Sequence, residues 1–262
     1  MITLKSMREL DRMRRAGSIV HSVLDAMEGW IRPGVRTKEL DRRAESLIRE
    51  RGAEPSFLGY MGYTASICVS VNEEVVHGIP SERVLRDGDL VSVDVGARYQ
   101  NYHGDAARTF AVGGVSAPAR RILEDTRSSL ERAIAQVRSG AHLSQIARAV
   151  ESVARERGYG VVRDYVGHGI GSRLHEDPQV PNFVSTQLLE NDVELAEGMV
   201  LAIEPMFTLG SHQVRKLDDG WTVVTVDGAL AAHFEDTVAV TAEGPEVFTR
   251  APREAHAGRE AL

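Results

Sequence analysis

From Arg36 to Arg51 the apolar or small residues fall at Leu40, Ala44, Leu47 and Ile48, with arginines and glutamates between them. That spacing predicts a helix with one apolar stripe, and Gly52 is its expected stop. A shorter period governs other stretches. Val91, Val93 and Val95 alternate with Ser92 and Asp94, and Ile67, Val69 and Val71 alternate with Cys68 and Ser70. Two-residue alternation predicts strands with one buried face. The stretch "VGARYQNYHG" separates two such runs and predicts a hairpin, so Asp94 and Asp105 are expected to face each other across neighbouring strands. Farther on, "MVLAIE" ends in Glu204, and "AHFEDTVAV" predicts one strand on which His233, Glu235, Thr237 and Ala239 share a side.

These elements recur. "RPGVRTKELDRRAESLIRERG" (Arg32 to Gly52) aligns without gaps on "RSGAHLSQIARAVESVARERG" (Arg138 to Gly158), and "LRDGDLVSVD" (Leu85 to Asp94) matches "LAEGMVLAIE" (Leu195 to Glu204). Two matching pairs in the same order indicate an internal duplication. Helices precede strands in each half. The expectation is therefore one α+β domain, residues 1–250, built from pseudo-repeats of about 7–115 and 116–249 that share a largely antiparallel sheet about a pseudo-twofold axis. A ligand site belongs where the halves meet.

Composition narrows the function classes. The chain has 262 residues, 42% hydrophobic, enough for an ordinary core. Its net charge of −7 comes from intermixed acids and bases with no basic patch, so nucleic-acid binding is not expected. Cys68 is the only cysteine; this excludes an intrachain disulfide and a thiolate metal cluster, and favours a reducing, cytoplasmic setting. No run of about 18 apolar residues suggests a membrane span. The C-terminal stretch 251–262, "APREAHAGREAL", reads as a disordered tail without functional signal.

Taken singly, Asp94, Asp105, Glu204 and Glu235 read as acids on a solvated strand face. If the repeat brings Asp94 and Glu204 to equivalent places, the four carboxylates converge, and they stay ionised only if cations neutralise them. Two divalent ions balance four carboxylates. The segment "YVGHGIGSRLHEDPQ" supplies His168 and His175 among Gly167, Gly169 and Gly171. It lacks the strand-then-helix context of a dinucleotide loop, so the glycines are read as letting the backbone bring His168 to a metal. Oxygen-rich ligation with one imidazole suits Mn, Fe, Co or Zn in a two-metal site that holds a bridging hydroxide and polarises a carbonyl.

At this level the chain resembles the type I methionine aminopeptidases of the duplicated pita-bread fold. The similarity runs from about Met7 to Thr249 and includes "NEEVVHGIP", "VDVGARYQNYHGDAARTF", "YVGHGIGSRLHEDPQVPN", "EGMVLAIEPM", "DGWTVVT" and "AAHFEDT". The resemblance implies five metal ligands, Asp94, Asp105, His168, Glu204 and Glu235, holding two divalent ions (Co, Mn, Fe or Zn). In it Asp105 and Glu235 bridge, Asp94 holds one ion, and His168 and Glu204 hold the other. Glu204 also accepts the proton of the attacking water. His77 lies beside the scissile amide, and His175 hydrogen-bonds the substrate carbonyl. Tyr60, Tyr63, Cys68, Leu174 and Trp221 form the methionine pocket, with Phe57 beside it. His233, two residues before Glu235 and on the same strand side, is a candidate to orient the ligands. Asp236 stands where several members carry histidine, which puts metal preference in question.

The implied activity is removal of N-terminal methionine from nascent polypeptides whose second residue is small. The implied enzyme is cytoplasmic and monomeric, with a transient association with the ribosome. The alternatives are an Xaa-Pro dipeptidase and a catalytically silent binding homologue on the same fold.

Overall fold

The repeated Arg-Glu-Arg-Gly step ends two helices in the same way. In the computed structural model, which describes residues 1–251, α2 (Thr37–Glu50) and α4 (Leu143–Arg157) are followed by Gly52 and Gly158, each at φ 75°. Only glycine takes that left-handed turn at little cost. All but Ala251 of the expected tail lies outside the described residues. Leu40, Ala44 and Ile48 of α2 are fully buried, as the apolar stripe predicts, and each large aliphatic side chain there contributes about 1.5–3 kcal/mol.

The other two long helices are α1 (Met7–Trp30) and α3 (Ala117–Ile134). With α2, α1 covers a sheet containing Cys68–Val71, Leu90–Tyr99 and Tyr102–Ala111, around a core of Ile19, Val23, Leu40, Ile67, Val91 and Val93. Helices α3 and α4 cover a second sheet containing Gly167–Gly169, Glu176–Val180, Val200–Ile203 and Asp236–Thr241, around Ile122, Leu130, Ile146, Val150 and Leu201. Every strand pairing is antiparallel. The architecture is the expected α+β fold.

Equivalent backbone hydrogen bonds recur at positions that the sequence alignment matches. Gly34 N–H donates to Leu85 C=O and Leu85 N–H to Val35 C=O; in the second half Gly140 donates to Leu195 and Leu195 to Ala141, all at 2.7–2.9 Å. The two sheets meet between the strands Tyr102–Ala111 and Asp236–Thr241. There Glu235 N–H donates to Ala107 C=O at 2.9 Å, and Thr237 Oγ1 both accepts from Asp105 N–H and donates to Asp105 C=O.

One expected strand is broken. Ala231–His233 and Asp236–Thr241 are separate, pairing with Met206–Thr208 and Val200–Ile203 respectively. Pro205, between the two partner strands, has no N–H to give, and the ladder is interrupted opposite it at Phe234 and Glu235. Glu204 and Glu235 therefore sit together at a kink in the sheet.

Candidate metal centre and active site

The hairpin at Gln100–Asn101 sets the register of the first two acids. Both turn residues have positive φ, 47° and 68°, the handedness a two-residue hairpin requires. The strands then pair Asp94 with Ala107 and Asp105 with Gly96. The two aspartates thus share a face but lie diagonally, not directly opposite as expected, because the register pairs each with a small residue. Ser92, two residues before Asp94, is hydrogen-bonded to Thr109 at 2.8 Å.

Asp94, Asp105, His168, Glu204 and Glu235 all line one cavity of about 320 Å³. Donor atoms of Asp105, His168 and Glu235 lie within 4.8 Å of one another, and His168 Nε2 is 3.8 Å from Glu204 Oε1. Burial pushes the Asp94 carboxyl up to about 7. Burial together with the Asp94 charge pushes Glu204 up to about 8. Asp105 and Glu235 are raised further, by burial first and then by the neighbouring carboxylates. Among the described residues, Asp94 Oδ1, Asp105 Oδ1 and Glu235 Oε1 are buried with no hydrogen-bond partner.

Buried carboxylate oxygens without partners are rare because each forfeits its hydration. Four convergent acids beside one imidazole, with unpartnered oxygens aimed into a shared cavity, fit divalent cations that would supply the missing positive charge.

His168 is prepared for such a role. Its Nδ1 lies 2.9 Å from Gly169 C=O, so that nitrogen carries the proton and Nε2 presents its lone pair to the acids. Burial, with His175 nearby, lowers its pKa to about 3, which keeps the ring neutral. The flanking glycines act through space, not through unusual backbone angles, since neither has positive φ. A Cβ on Gly167 would stand 2.4 Å from Ala202 C=O, and one on Gly169 2.1 Å from Asp177 C=O. The strand carrying His168 is thus clasped on both sides.

His77 and His175 occupy the same cavity. His77 adopts φ 61°, a conformation that costs a non-glycine residue of order 1 kcal/mol or more and concentrates at functional sites. Gly78, which follows, fits only without a side chain: a Cβ there would be 2.3 Å from Val69 C=O. Burial lowers the His77 pKa to about 4 and that of His175 in the same direction. His175 Nδ1 lies 2.7 Å from Tyr60 Oη, and its ring centroid is 4.2 Å from that of His168.

The apolar wall contains Tyr60, Tyr63, Cys68, Leu174 and Trp221 as expected, and also Phe57 and Met61. Tyr63 meets Trp221 edge-on at 5.0 Å and donates to Gly78 C=O at 3.0 Å. The Cys68 thiol is pushed up by burial, then by Asp94, and stays protonated. His233 does not line the cavity. It is buried behind Glu204, with its Nε2 3.8 Å from Glu204 Oε2.

Met61 was not foreseen; it sits at φ 48° in an irregular turn, where neither period applies. Nor was Asn182, whose buried amide donates to Glu204 C=O at 2.9 Å, although "VPN" ends a motif of the resemblance. Asp236 does not line the cavity, and its charge does not bear on it unopposed: Arg108 and Arg250 both pair with it.

A curved antiparallel sheet that gathers four acids and an imidazole beside an apolar pocket is the scaffold of a metallopeptidase. The model of metallopeptidase family M24 matches residues 11–242, and the chain belongs to that family. Methionine aminopeptidase 1 of Bacillus subtilis (strain 168) is 49% identical over 250 residues, covering 95% of this chain and 100% of that protein. Methionine aminopeptidase 1 of Mycobacterium tuberculosis is 49% identical over 252 residues, covering 94% of each. The crystal structure of methionine aminopeptidase from Thermotoga maritima superposes with a TM-score of 0.93 at 42% identity, covering 96% of this chain and all of that one. A prolidase from Pyrococcus furiosus gives 0.76 at 26% identity, covering 95% of this chain but 66% of the prolidase chain.

Proposed function

We propose that this chain is a metal-dependent methionine aminopeptidase that releases the N-terminal methionine of polypeptides whose second residue is small. The observation that carries the reading is one cavity lined both by five metal-ligating side chains and by an apolar wall of Tyr63, Cys68 and Trp221. Asp94, Asp105, His168, Glu204 and Glu235 would hold two divalent ions, with Asp105 and Glu235 shared between them. Such ions, when bound, supply Lewis acidity for a carbonyl and generate a nucleophile from water at neutral pH.

The chain's own residues do the rest. Glu204 accepts the proton of the attacking water, a task that suits a carboxylate whose basicity is raised. His175 takes the Tyr60 hydroxyl proton on Nδ1 as a hydrogen bond, which leaves Nε2–H to donate to the substrate carbonyl as negative charge develops there. His77, neutral near pH 7, donates a hydrogen bond at the scissile amide. The apolar wall excludes water and accepts the methionine side chain. His233 supports Glu204 from behind.

The same reading makes 1–250 a single unit of two repeats, 7–115 and 116–249, around one site. Its substrates are nascent N-termini, in a cytoplasmic, monomeric enzyme that meets the ribosome transiently. No helix among the described residues is long and apolar enough to cross a membrane. The identities of 42–49% to methionine aminopeptidases, against 26% to the prolidase, support methionine over Xaa-Pro specificity.

Metal-loaded protein is to be assayed on Met-Ala and Met-Ile peptides beside an Xaa-Pro dipeptide. Release of methionine from Met-Ala but not from Met-Ile is expected. Release from neither, or preferential cleavage of the Xaa-Pro bond, defeats the proposal. Asp105→Asn is expected to abolish turnover and lower metal content; full activity in that variant removes Asp105 from its assigned role.

A further inference from the structure

Behind the sheet, on the face opposite the cavity, one guanidinium joins the two strands that carry the acids shared between the metals. Arg108 lies three residues after Asp105. Its Nη1 donates to Ala107 C=O at 2.8 Å and, in a shorter contact, to Glu235 C=O. Its Nη2 donates to Asp236, which is fully buried. Of the two ladder bonds between Ala107 and Glu235, the one from Glu235 N–H is short, at 2.9 Å, and the one from Ala107 N–H is long, at 3.3 Å, and Arg108 reinforces the pair by bonding both carbonyls. Asp236 is fixed in turn by Thr249 Oγ1 at 2.7 Å and by Arg250 Nε at 2.8 Å, and Arg250 continues to Glu131.

The cluster is charge-balanced, with two arginines against Asp236 and Glu131. The two cations differ in reach. Among the described residues Arg250 bonds to the side chains of Asp236 and Glu131, whereas Arg108 also holds the backbone of Glu235 and of Ala107.

We propose that Arg108 is a positioning residue for the metal centre, setting the spacing of Asp105 and Glu235 by tying their strands together across the seam, with Asp236 as the anchor that orients it. The inference rests on the reading that Asp105 and Glu235 share the metals. Asp236 then belongs to this brace and not to the metal's surroundings. A guanidinium serves three acceptors at fixed angles; an ammonium keeps the charge facing Asp236 but cannot span both carbonyls as well.

The test compares wild type, Arg108→Lys, Arg250→Lys and Asp105→Asn as metal-loaded full-length proteins challenged with graded chelator, reading retained Mn(II) and, in parallel, thermal unfolding. Arg108→Lys is expected to hold Mn(II) about 10–100-fold less tightly, the range for residues that orient metal ligands, and to lower kcat with KM within about twofold. Arg250→Lys is expected to lower the melting temperature while keeping wild-type retention. Equal retention by Arg108→Lys and wild type overturns the proposal, as does equal loss in the Arg108 and Arg250 variants. If Arg108→Lys does not fold, the paired variant Arg108→Met with Asp236→Leu, which leaves no unpaired carboxylate there, decides by the same criteria. Failure of wild type itself to retain Mn(II), with Asp105→Asn no different, refutes the metal reading instead.

Discussion

Metal binding to this chain should be strongly coupled to pH, and the coupling can be worked out from the cavity. Burial raises the folded-state pKa of Asp94 to about 7 and, with the Asp94 charge, that of Glu204 to about 8, from ordinary values of 3.8 and 4.5, and Asp105 and Glu235 are shifted the same way. At pH 6 the metal-free protein therefore carries protons on Asp94 and Glu204, and metals displace them. At least about two protons should be released, from these two groups alone, so apparent affinity should rise by at least about a hundredfold per pH unit near pH 6. The sign for folding is opposite. Groups whose folded pKa is raised contribute stability that is present below their unfolded values and lost as pH rises through the folded ones, so the metal-free protein should weaken between about pH 4 and pH 8. Calorimetric titration with Mn(II) at pH 6.0 and 8.5, in buffers of differing ionisation enthalpy, reads proton release directly. An affinity that is flat from pH 6 to 8, or fewer than about half a proton released at pH 6, refutes the argument.

Three further outcomes are open to measurement. Gly167→Ala places a methyl 2.4 Å from Ala202 C=O, so the strands must part beside His168; a destabilisation of about 1–3 kcal/mol in urea and weaker metal retention are expected, and a wild-type urea midpoint contradicts this. Lys5 and Glu176 form an ion pair at 2.7 Å with side chains 5% and 3% exposed, next to His175; Lys5→Met should cost about 3–5 kcal/mol by leaving the Glu176 carboxylate buried and unpaired. Burial acts to raise the Glu176 pKa, but hydrogen bonds from Lys5, Arg173 N–H and Thr3 outweigh it and hold the group at about 2, so its stabilisation is present above about pH 4.5 and disappears as pH falls toward 2; an acid titration of Lys5→Met should show a smaller loss than wild type. Leu40→Ala, at a fully buried position of α2, should cost about 2–5 kcal/mol by differential calorimetry.

The helices and individual strands were legible because each has one dominant period. Leu40, Ala44 and Ile48 had to share a face, and so did Val91, Val93 and Val95. The twelve residues expected in the cavity line it because motif and repeat together specify which strand ends approach one another. What escaped depends on partners that local pattern does not encode. Alternation around Glu235 could not reveal that Phe234, just before it, lies opposite Pro205, whose missing N–H breaks the strand between His233 and Asp236. The diagonal offset of Asp94 and Asp105 follows from the turn residues Gln100 and Asn101, neither a glycine, which adopt positive φ all the same.

Asp236 shows how the same limitation affects chemistry. Beside Glu235 in sequence, it reads as a further negative charge near four others, even though strand alternation turns it away. In the fold it faces the opposite side of the sheet, because neighbouring strand residues alternate, and it meets Arg108 from the first half of the chain and Arg250 from beyond the last strand. The two faces at this point solve the problem of buried charge differently. On the back, guanidinium groups permanently compensate Asp236, so that part of the seam is complete at any pH at which the carboxylate is ionised. On the front, no Lys or Arg among the described residues lines the cavity, and compensation comes from protons at low pH or from metal at neutral pH. The separation makes physical sense for a centre that must accept exchangeable ions: cations built into the front would compete with the metals, whereas the same charges behind the sheet hold the carboxylate-bearing strands without entering the cavity.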